Sequence, residues 1–164
     1  MSFTGEYTNS LDQKNRLSVP VKFRKSLKLI NDKTFVLCKG FDVNLLLYPV
    51  EEWKIVEEQL ISLSSISNTN RNFIRNIVRH ANYVKYDGQG RIAIPEILLK
   101  SSNIKRDVVV IGMLKKIELW DPATLNKFEN KNIVGAGFII NLPELKGDQK
   151  LISKGIKIHS LMEF

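Results

Sequence analysis

Two stretches of the chain, residues 10–25 (SLDQKNRLSVPVKFRK) and residues 86–100 (YDGQGRIAIPEILLK), carry one short pattern twice. In each stretch an aspartate precedes an arginine by four positions, and a short apolar alternation then ends at a proline. Alternating apolar residues indicate a half-buried strand, and aspartate followed by asparagine or glycine is typical of a tight turn. The repeat therefore predicts two copies of a turn followed by a short strand.

The residues around each copy predict the same order of further elements. GEYTNSL before the first turn and NYVKY before the second can each pair with the strand after the turn, which makes a hairpin. A short helical pattern follows each proline, because proline suits the first turn of a helix, and two apolar strands follow each helix. We therefore predict the order strand, turn, strand, helix, strand, strand twice, in residues 5–50 and 80–121.

The connecting segment, residues 51–79, has the apolar spacing of two amphipathic helices. The second helix, within NTNRNFIRNIVRHA, is expected to be capped near Asn68 or Thr69. Residues 122–164 begin with a helical pattern, PATLNKFENK, and continue into a tail of mixed composition. The predicted fold class is thus α+β, mainly β, with a helical connector and a helical C-terminal region.

The composition favours a polyanionic partner. Among 164 residues, 25 Lys and Arg outnumber 17 Asp and Glu, which gives a formal net charge of +8. The apolar runs are far shorter than the roughly 20 residues that span a bilayer, and the N-terminus lacks the apolar region of a secretory signal. The single cysteine, Cys38, lies in an apolar run and is expected to be buried. These features predict a cytoplasmic protein that makes no membrane contact.

The sequence offers little support for catalysis. Its only histidines are His80 and His159, and no Cys-x-x-Cys or nucleotide-binding glycine loop is present. We therefore expect no catalytic residue, no metal, no cofactor and no small-molecule substrate. An enzyme that acts through some pair of the 17 carboxylates remains an open alternative.

The two turns provide a physical route to DNA contact. A tight turn carries Lys14 and Arg16 on a short, stiff base, and arginine can bind phosphate or the O6/N7 edge of guanine with two hydrogen bonds. The second turn offers an equivalent arginine, and the helix after the first strand offers two further phosphate contacts. The candidate DNA-binding residues are therefore Lys14, Arg16, Lys22, Arg24 and Arg91.

The same residues also allow a purely structural interpretation. Turn aspartates commonly accept hydrogen bonds from turn amides, and an arginine beside them can be solvated or locally paired. Asparagine or glycine can supply the left-handed backbone that a tight turn requires. The residues assigned to the turn structure itself are Asp12, Asn15, Asp87 and Gly90.

Several motifs, taken in order, resemble the MraZ family, bacterial regulators of the division and cell wall gene cluster. The resemblance extends to about residue 125 and rests on LDQKNRLSVPVKFR, LLLYPVEEW, RNFIRNIVRHA, DGQGRIAIP and VIGMLKKIELWD. An Asp-x-x-Gly-Arg turn alone would be weak, since other swapped-hairpin proteins of the AbrB type also use it. The sequence departs from the family pattern at Asn15, where glycine is usual.

The resemblance implies a specific architecture and function. It implies two AbrB-like halves whose swapped hairpins form one small barrel, and a homo-oligomer that assembles as a ring. It also implies a nucleoid-associated transcriptional regulator that binds short G-rich direct repeats in double-stranded promoter DNA. The alternative is an RNA-binding or structural ring-forming protein with the same basic surface.

Overall fold

The computed structural model describes residues 2–129 and, as backbone, the strands at 135–138 and 157–160. The chain divides into two compact units, Met1–Asn126 and Lys127–Phe164. The second unit contains a two-stranded parallel sheet formed by Gly135–Phe138 and Lys157–Ser160. The remainder of the predicted tail lies outside the described residues.

The first unit repeats one order of elements. The first copy consists of β1 (Phe3–Ser10), β2 (Arg16–Ser18), α1 (Val21–Ser26), β3 (Thr34–Lys39) and β4 (Leu45–Pro49). After the connecting helices α2 (Val50–Ser62) and α3 (Asn68–Val78), the second copy consists of β5 (Asn82–Lys85), β6 (Arg91–Ala93), α4 (Glu96–Ser101), β7 (Asp107–Leu114) and β8 (Lys116–Trp120). The helix α5 (Pro122–Glu129) follows. The mixed α+β fold class is thus confirmed, while the proposed domain boundaries stay a prediction.

Several strands pair between the two copies, and the predicted hairpins are reduced to their turns. The Asp12 amide donates to the Arg16 carbonyl and the Asp87 amide to the Arg91 carbonyl, but the strand before each turn finds its partner in the other copy. Strand β1 runs antiparallel to β7 over its whole length, from Phe3 opposite Leu114 to Ser10 opposite Asp107. Strand β5 pairs with β3, and the short strands β2 and β6 pair with each other. Matched eight-residue lengths let β1 and β7 satisfy each other's backbone groups, whereas β2 has only three residues to offer.

The main sheet is open. Its order is β1-β7-β8-β4-β3-β5, so β1 and β5 are its edges, while β2 and β6 form a separate two-stranded ladder. The sheet does not close into a barrel, and the barrel implied by the family resemblance is therefore not seen in this chain. The exchange of strands between the copies nevertheless joins them into one structure.

One apolar core serves both copies. Leu17 and Val19 from the first copy and Ile92 and Ile94 from the second are all buried in it, as the alternation predicts. Phe23 of α1 packs among them, with its ring 5.4 Å from that of Phe3. Each such side chain contributes about 1.5–3 kcal/mol to the stability through burial, so loss of either copy would strongly destabilise the fold.

The connecting helices differ in how they pack. Trp53 and Leu60 of α2 are buried, and Trp53 belongs to a small cluster that also contains Cys38. In α3 no residue is buried, although its sequence is strongly amphipathic. The helix is capped one residue before the expected positions, by the Ser67 hydroxyl, which accepts a hydrogen bond from the Asn70 amide at 3.4 Å.

Candidate nucleic-acid interface

The first turn is organised by a single carboxylate. Oδ1 of Asp12 accepts hydrogen bonds from the backbone amides of Lys14 and Arg16, each at 2.9 Å. Oδ2 accepts from Nε of Arg16 at 2.8 Å and lies 2.7 Å from its Nη2. Asn15 closes the turn with φ 55°, and its amide donates to the Asp12 carbonyl at 3.0 Å. The side chain that shapes the turn therefore also fixes its arginine.

The second turn has the same geometry. Oδ1 of Asp87 accepts from the amides of Gln89 and Arg91 at 2.9 and 3.0 Å. Oδ2 accepts from Nε and Nη2 of Arg91 at 3.0 and 2.8 Å. Gly90 has φ 79°, and its amide donates to the Asp87 carbonyl at 2.8 Å. The repeated sequence thus produces a repeated structure.

The ladder between β2 and β6 brings the two turns together. Leu17 lies opposite Ile92, and this antiparallel register sets each turn beside the end of the other strand, where the Ile94 amide donates to the Asn15 carbonyl and the Val19 amide to the Gly90 carbonyl. Nη1 of Arg16 lies 3.7 Å from Oδ2 of Asp87, and Nη1 of Arg91 lies 3.6 Å from Oδ2 of Asp12. We call Asp12, Arg16, Asp87 and Arg91 the ion-pair cluster. The cluster joins turns that are 75 residues apart in sequence.

These contacts change the acidity of the aspartates. Hydrogen bonds from the Arg16 side chain and backbone lower the pKa of Asp12 from 3.8 to about 2. The Arg91 backbone and side chain lower the pKa of Asp87 from 3.8 to about 2 as well. The Asp12 carboxylate in turn raises the pKa of Arg16. All of these shifts favour the charged forms, so the cluster stays ionised well below neutral pH.

The two arginines do not extend freely into solvent, as a simple projecting turn would suggest. The side chains of Arg16 and Arg91 are only 29% and 25% exposed, because each folds back onto its own aspartate. Lys14, at the tip of the first turn, is exposed. The local pairing expected under the structural interpretation is therefore present, and a DNA-contacting role for the arginines stays a prediction.

The two candidates on α1 have different surroundings. Nε of Arg24 donates to the Val19 carbonyl at 3.0 Å, and its guanidinium lies 5.9 Å from the centre of the Tyr86 ring. It also lies so close to Gly90 that a methyl group added there would overlap it. Arg24 therefore packs against the second turn, although its helix is part of the first copy. Lys22 instead donates to the carbonyl and hydroxyl of Thr4 at 3.2 and 3.3 Å, on β1.

Two basic residues beside the first turn escaped the sequence analysis. Lys105 and Arg106 are exposed, and the Arg106 carbonyl accepts a hydrogen bond from the Leu11 amide at 2.8 Å. Their only sequence signal is a basic pair in front of a strand. Their position beside a turn 90 residues earlier depends on the exchange of strands, which the local pattern does not specify.

Within the described part of the chain, no cluster of three or more His, Cys, Asp or Glu side chains could hold a metal ion. The helices described there are also too short or too polar to cross a membrane. Cys38 is buried, as predicted, and its burial raises the pKa of the thiol to about 12. A thiol of such low acidity is a poor nucleophile.

The chain is similar to proteins of known class over most of its length. The family model described as "MraZ protein, putative antitoxin-like" matches residues 2–76 and 77–134. The transcriptional regulator MraZ of Clostridium tetani is 40% identical over 131 residues, covering 80% of this chain and 89% of that protein. The proteins of the same name from Clostridium acetobutylicum and Pediococcus pentosaceus are each 40% identical, over 72% and 74% of this chain and 80% and 82% of their own lengths.

Proposed function

This chain belongs to the MraZ family of transcriptional regulators, and we propose that it acts by binding double-stranded DNA through the surface formed by its two turns. The family is one of regulators and not of enzymes. The observation that carries the proposal is the ion-pair cluster, which fastens both turns into one unit. A rigid pair of turns can match a DNA groove without a large cost in ordering flexible loops.

The arginines of the cluster have donors left for DNA. In each of them Nε and Nη2 bind the aspartate of the same turn, while Nη1 lies beyond hydrogen-bonding distance of the aspartate of the other turn, at 3.7 Å for Arg16 and 3.6 Å for Arg91. We propose that Arg16 and Arg91 present this edge to guanine and that Lys14 binds phosphate. Arg24 packs against the second turn and stabilises it. Lys22 has the least support as a DNA contact, because its ammonium group is hydrogen-bonded to β1.

The proposed targets are short G-rich direct repeats upstream of the division and cell wall gene cluster, bound in the cytoplasm at the nucleoid. The net charge of +8 supports a nucleic-acid partner, because neutralised phosphates release counterions from DNA. An RNA-binding role would use the same charge but not the guanine edge in the major groove. The A-form major groove of RNA is too deep and narrow for side chains to read.

Fluorescence anisotropy with three probes tests this proposal: a duplex carrying G-rich repeats, a shuffled duplex of equal length and an RNA duplex. We expect the repeat duplex to bind tightest. Arg16→Ala should weaken binding to the repeats by about tenfold to a hundredfold per engaged site, and binding to the shuffled duplex much less. Arg16→Lys is the control, since it keeps the charge but loses the planar fork.

Equal affinity of the folded Arg16→Ala variant and the wild type for both DNA duplexes would refute guanine recognition by the first turn. Tightest binding to RNA would favour the RNA-binding alternative.

We further propose that the protein assembles with copies of itself through α2 and α3. Between these helices lies a groove of about 420 Å³ lined mainly by apolar side chains, among them Ile61 and Val78, which are 81% and 47% exposed. α2 carries four glutamates and one lysine, whereas α3 carries two arginines and no acidic residue. Glu51 and Glu52 already pair with Lys28 and Lys115, which leaves Glu57 and Glu58 to meet the arginines of another copy in a head-to-tail contact. A head-to-tail contact that closes produces a ring.

Light scattering tests the assembly. The double variant Ile61→Asp, Val78→Asp should yield a smaller particle than the wild type, because two charges would enter the apolar contact. Its fold should persist, since both side chains are exposed in the single chain. Leu29→Asp, at a position that is 99% exposed outside these helices, should leave the particle mass unchanged. A wild-type monomer that still binds repeat DNA tightly at micromolar concentration would refute assembly as a requirement.

A further inference from the structure

The first turn has a neighbour from the second copy. The segment before β7 crosses beside it, because the Leu11 amide donates to the Arg106 carbonyl at 2.8 Å, just beyond the Ser10–Asp107 end of the β1–β7 ladder. Side chains of this segment and of the turn surround one surface depression of about 530 Å³. The residues that line it are Leu11, Asp12, Gln13, Asn15, Lys105 and Arg106.

Two cations, Lys105 and Arg106, line this depression, and Lys14 lies in the same turn outside the lining. Lys14, Lys105 and Arg106 are all exposed, and none of them forms an ion pair with the residues that the structure describes. The acidic groups nearby are engaged with other partners. Asp12 binds Arg16, and Asp107 accepts a hydrogen bond from the Ser10 hydroxyl at 2.9 Å.

The second turn has an equivalent neighbour with a different charge. There the Tyr86 amide donates to the Lys33 carbonyl at 3.1 Å, which repeats the contact between Leu11 and Arg106. The basic pair Lys105–Arg106 thus corresponds to Asp32–Lys33. Asp32 also binds Nζ of Lys85 at 2.6 Å, which neutralises one of the cations present.

The tips of the two turns differ in the same direction. At the equivalent exposed position, the first turn carries Lys14 and the second carries the uncharged Gln89. Two turns with nearly identical backbones therefore carry unequal charge at both tip and flank.

We propose that Lys14, Lys105 and Arg106 form a phosphate-binding edge for duplex DNA, which the second turn lacks. The inference rests on the proposed DNA-binding function and specifies the side of the protein on which the phosphate backbone is held. Exposed cations bind the phosphate backbone without regard to base sequence, so this edge anchors the duplex on the side of the first turn. The arginines of the ion-pair cluster are then the groups that face the bases.

Matched charge removals at the two flanks test this edge. In one variant Lys105→Gln and Arg106→Gln remove two cations beside the first turn, and in the other Lys33→Gln and Lys85→Gln remove two beside the second. Glutamine removes the charge, keeps an unbranched polar side chain and spares the left-handed backbone of Lys33 any added bulk at Cβ. Circular dichroism and light scattering establish that each variant is folded and assembled before its affinity is compared.

The salt dependence supplies the decisive measurement. Each lost phosphate contact should reduce the slope of log K against log salt by about 0.9, so the first variant should lose about 1.8 per engaged subunit. Between about 50 and 200 mM salt, its affinity should then fall roughly tenfold less than that of the wild type. The repeat and shuffled duplexes should weaken by the same factor. The second variant should stay within about twofold of the wild type, because Lys85 is already paired with Asp32 and neither lysine belongs to the proposed edge.

The outcomes separate this inference from the proposed function. If the wild type distinguishes repeat from shuffled DNA but the Lys105/Arg106 variant binds both with unchanged affinity and slope, the phosphate edge is refuted while DNA binding stands. Equal losses in both variants would also refute it, since a general charge effect would then explain the result. Failure of the wild type to bind any duplex would refute both proposals.

Discussion

Each turn aspartate divides its two oxygens between two tasks. Oδ1 of Asp12 receives backbone amides and sets the shape of the turn, while Oδ2 receives the Arg16 guanidinium and sets the direction of that side chain. Asp87 does the same for Arg91. Because one group performs both tasks, the backbone of the turn and the orientation of its arginine cannot change independently.

The lowered pKa of these aspartates predicts acid sensitivity. A carboxyl whose pKa is about 2 when folded and near 3.8 when unfolded contributes stability that is fully present above pH 3.8. That contribution disappears as the pH falls toward 2. The urea midpoint of the wild type should therefore drop steeply between pH 4 and pH 2. Asp12→Asn with Asp87→Asn should give a lower midpoint at pH 6 and a shallower fall, and an equally steep fall would contradict the assignment.

At the scale of elements, the two turns meet the same backbone requirement with different residues. Asn15 and Gly90 both adopt a positive φ, which asparagine tolerates better than most side chains and glycine adopts at no steric cost. Gly90 has a second constraint, because the Arg24 guanidinium fills the space where a Cβ would stand. The second turn is therefore less tolerant of substitution.

Two glycines of the second turn provide a matched pair of tests. Gly90→Ala should lower the free energy of unfolding by about 1–2 kcal/mol, because alanine disfavours this left-handed conformation. Overlap with Arg24 should add to the loss. Gly88→Ala should change it by no more than about 0.5 kcal/mol, since no atom beyond the adjacent residues lies within 4 Å of the added methyl group. Equilibrium urea unfolding measures both free energies. Equal losses for the two variants would contradict a specific requirement for glycine at position 90.

The elements themselves were predictable, because their signals are local. Aspartate spacing indicated the turns, and the alternation at Leu17 and Val19 indicated which side chains face the core. The partner of each strand was not predictable, since alternation specifies a buried face and not a neighbour. For the same reason Lys105 and Arg106 were missed, because they reach the first turn only through the pairing of β1 with β7.

At the scale of the whole molecule, neither copy of the repeat contains its own sheet. β1 depends on β7, β3 is flanked by β5, and β4 pairs with β8 as well as with β3. The ion-pair cluster likewise takes one turn from each copy. The repeated unit is therefore a unit of sequence and not a unit of folding.

Truncation should expose this dependence. A fragment of residues 2–79 keeps the β3–β4 ladder but loses every strand of the second copy, so we expect no cooperative unfolding transition in urea. Mixing it with residues 80–164 should restore one. A fragment of residues 1–129 keeps all six strands of the main sheet and should unfold cooperatively. A stable, cooperative 2–79 fragment would contradict the interpretation.

The pairing of β1 with β7 also sets when the protein can become active during its synthesis. β1 is made first, yet its partner is translated about a hundred residues later, a delay of about 5–20 seconds at ordinary elongation rates. A nascent chain that stalls before residue 107 leaves the first turn without its neighbouring strand, and one that stalls before residue 91 also leaves it without the opposing arginine. A chain released before residue 107 therefore lacks the partner of β1, and under the proposed function it would not bind promoter DNA.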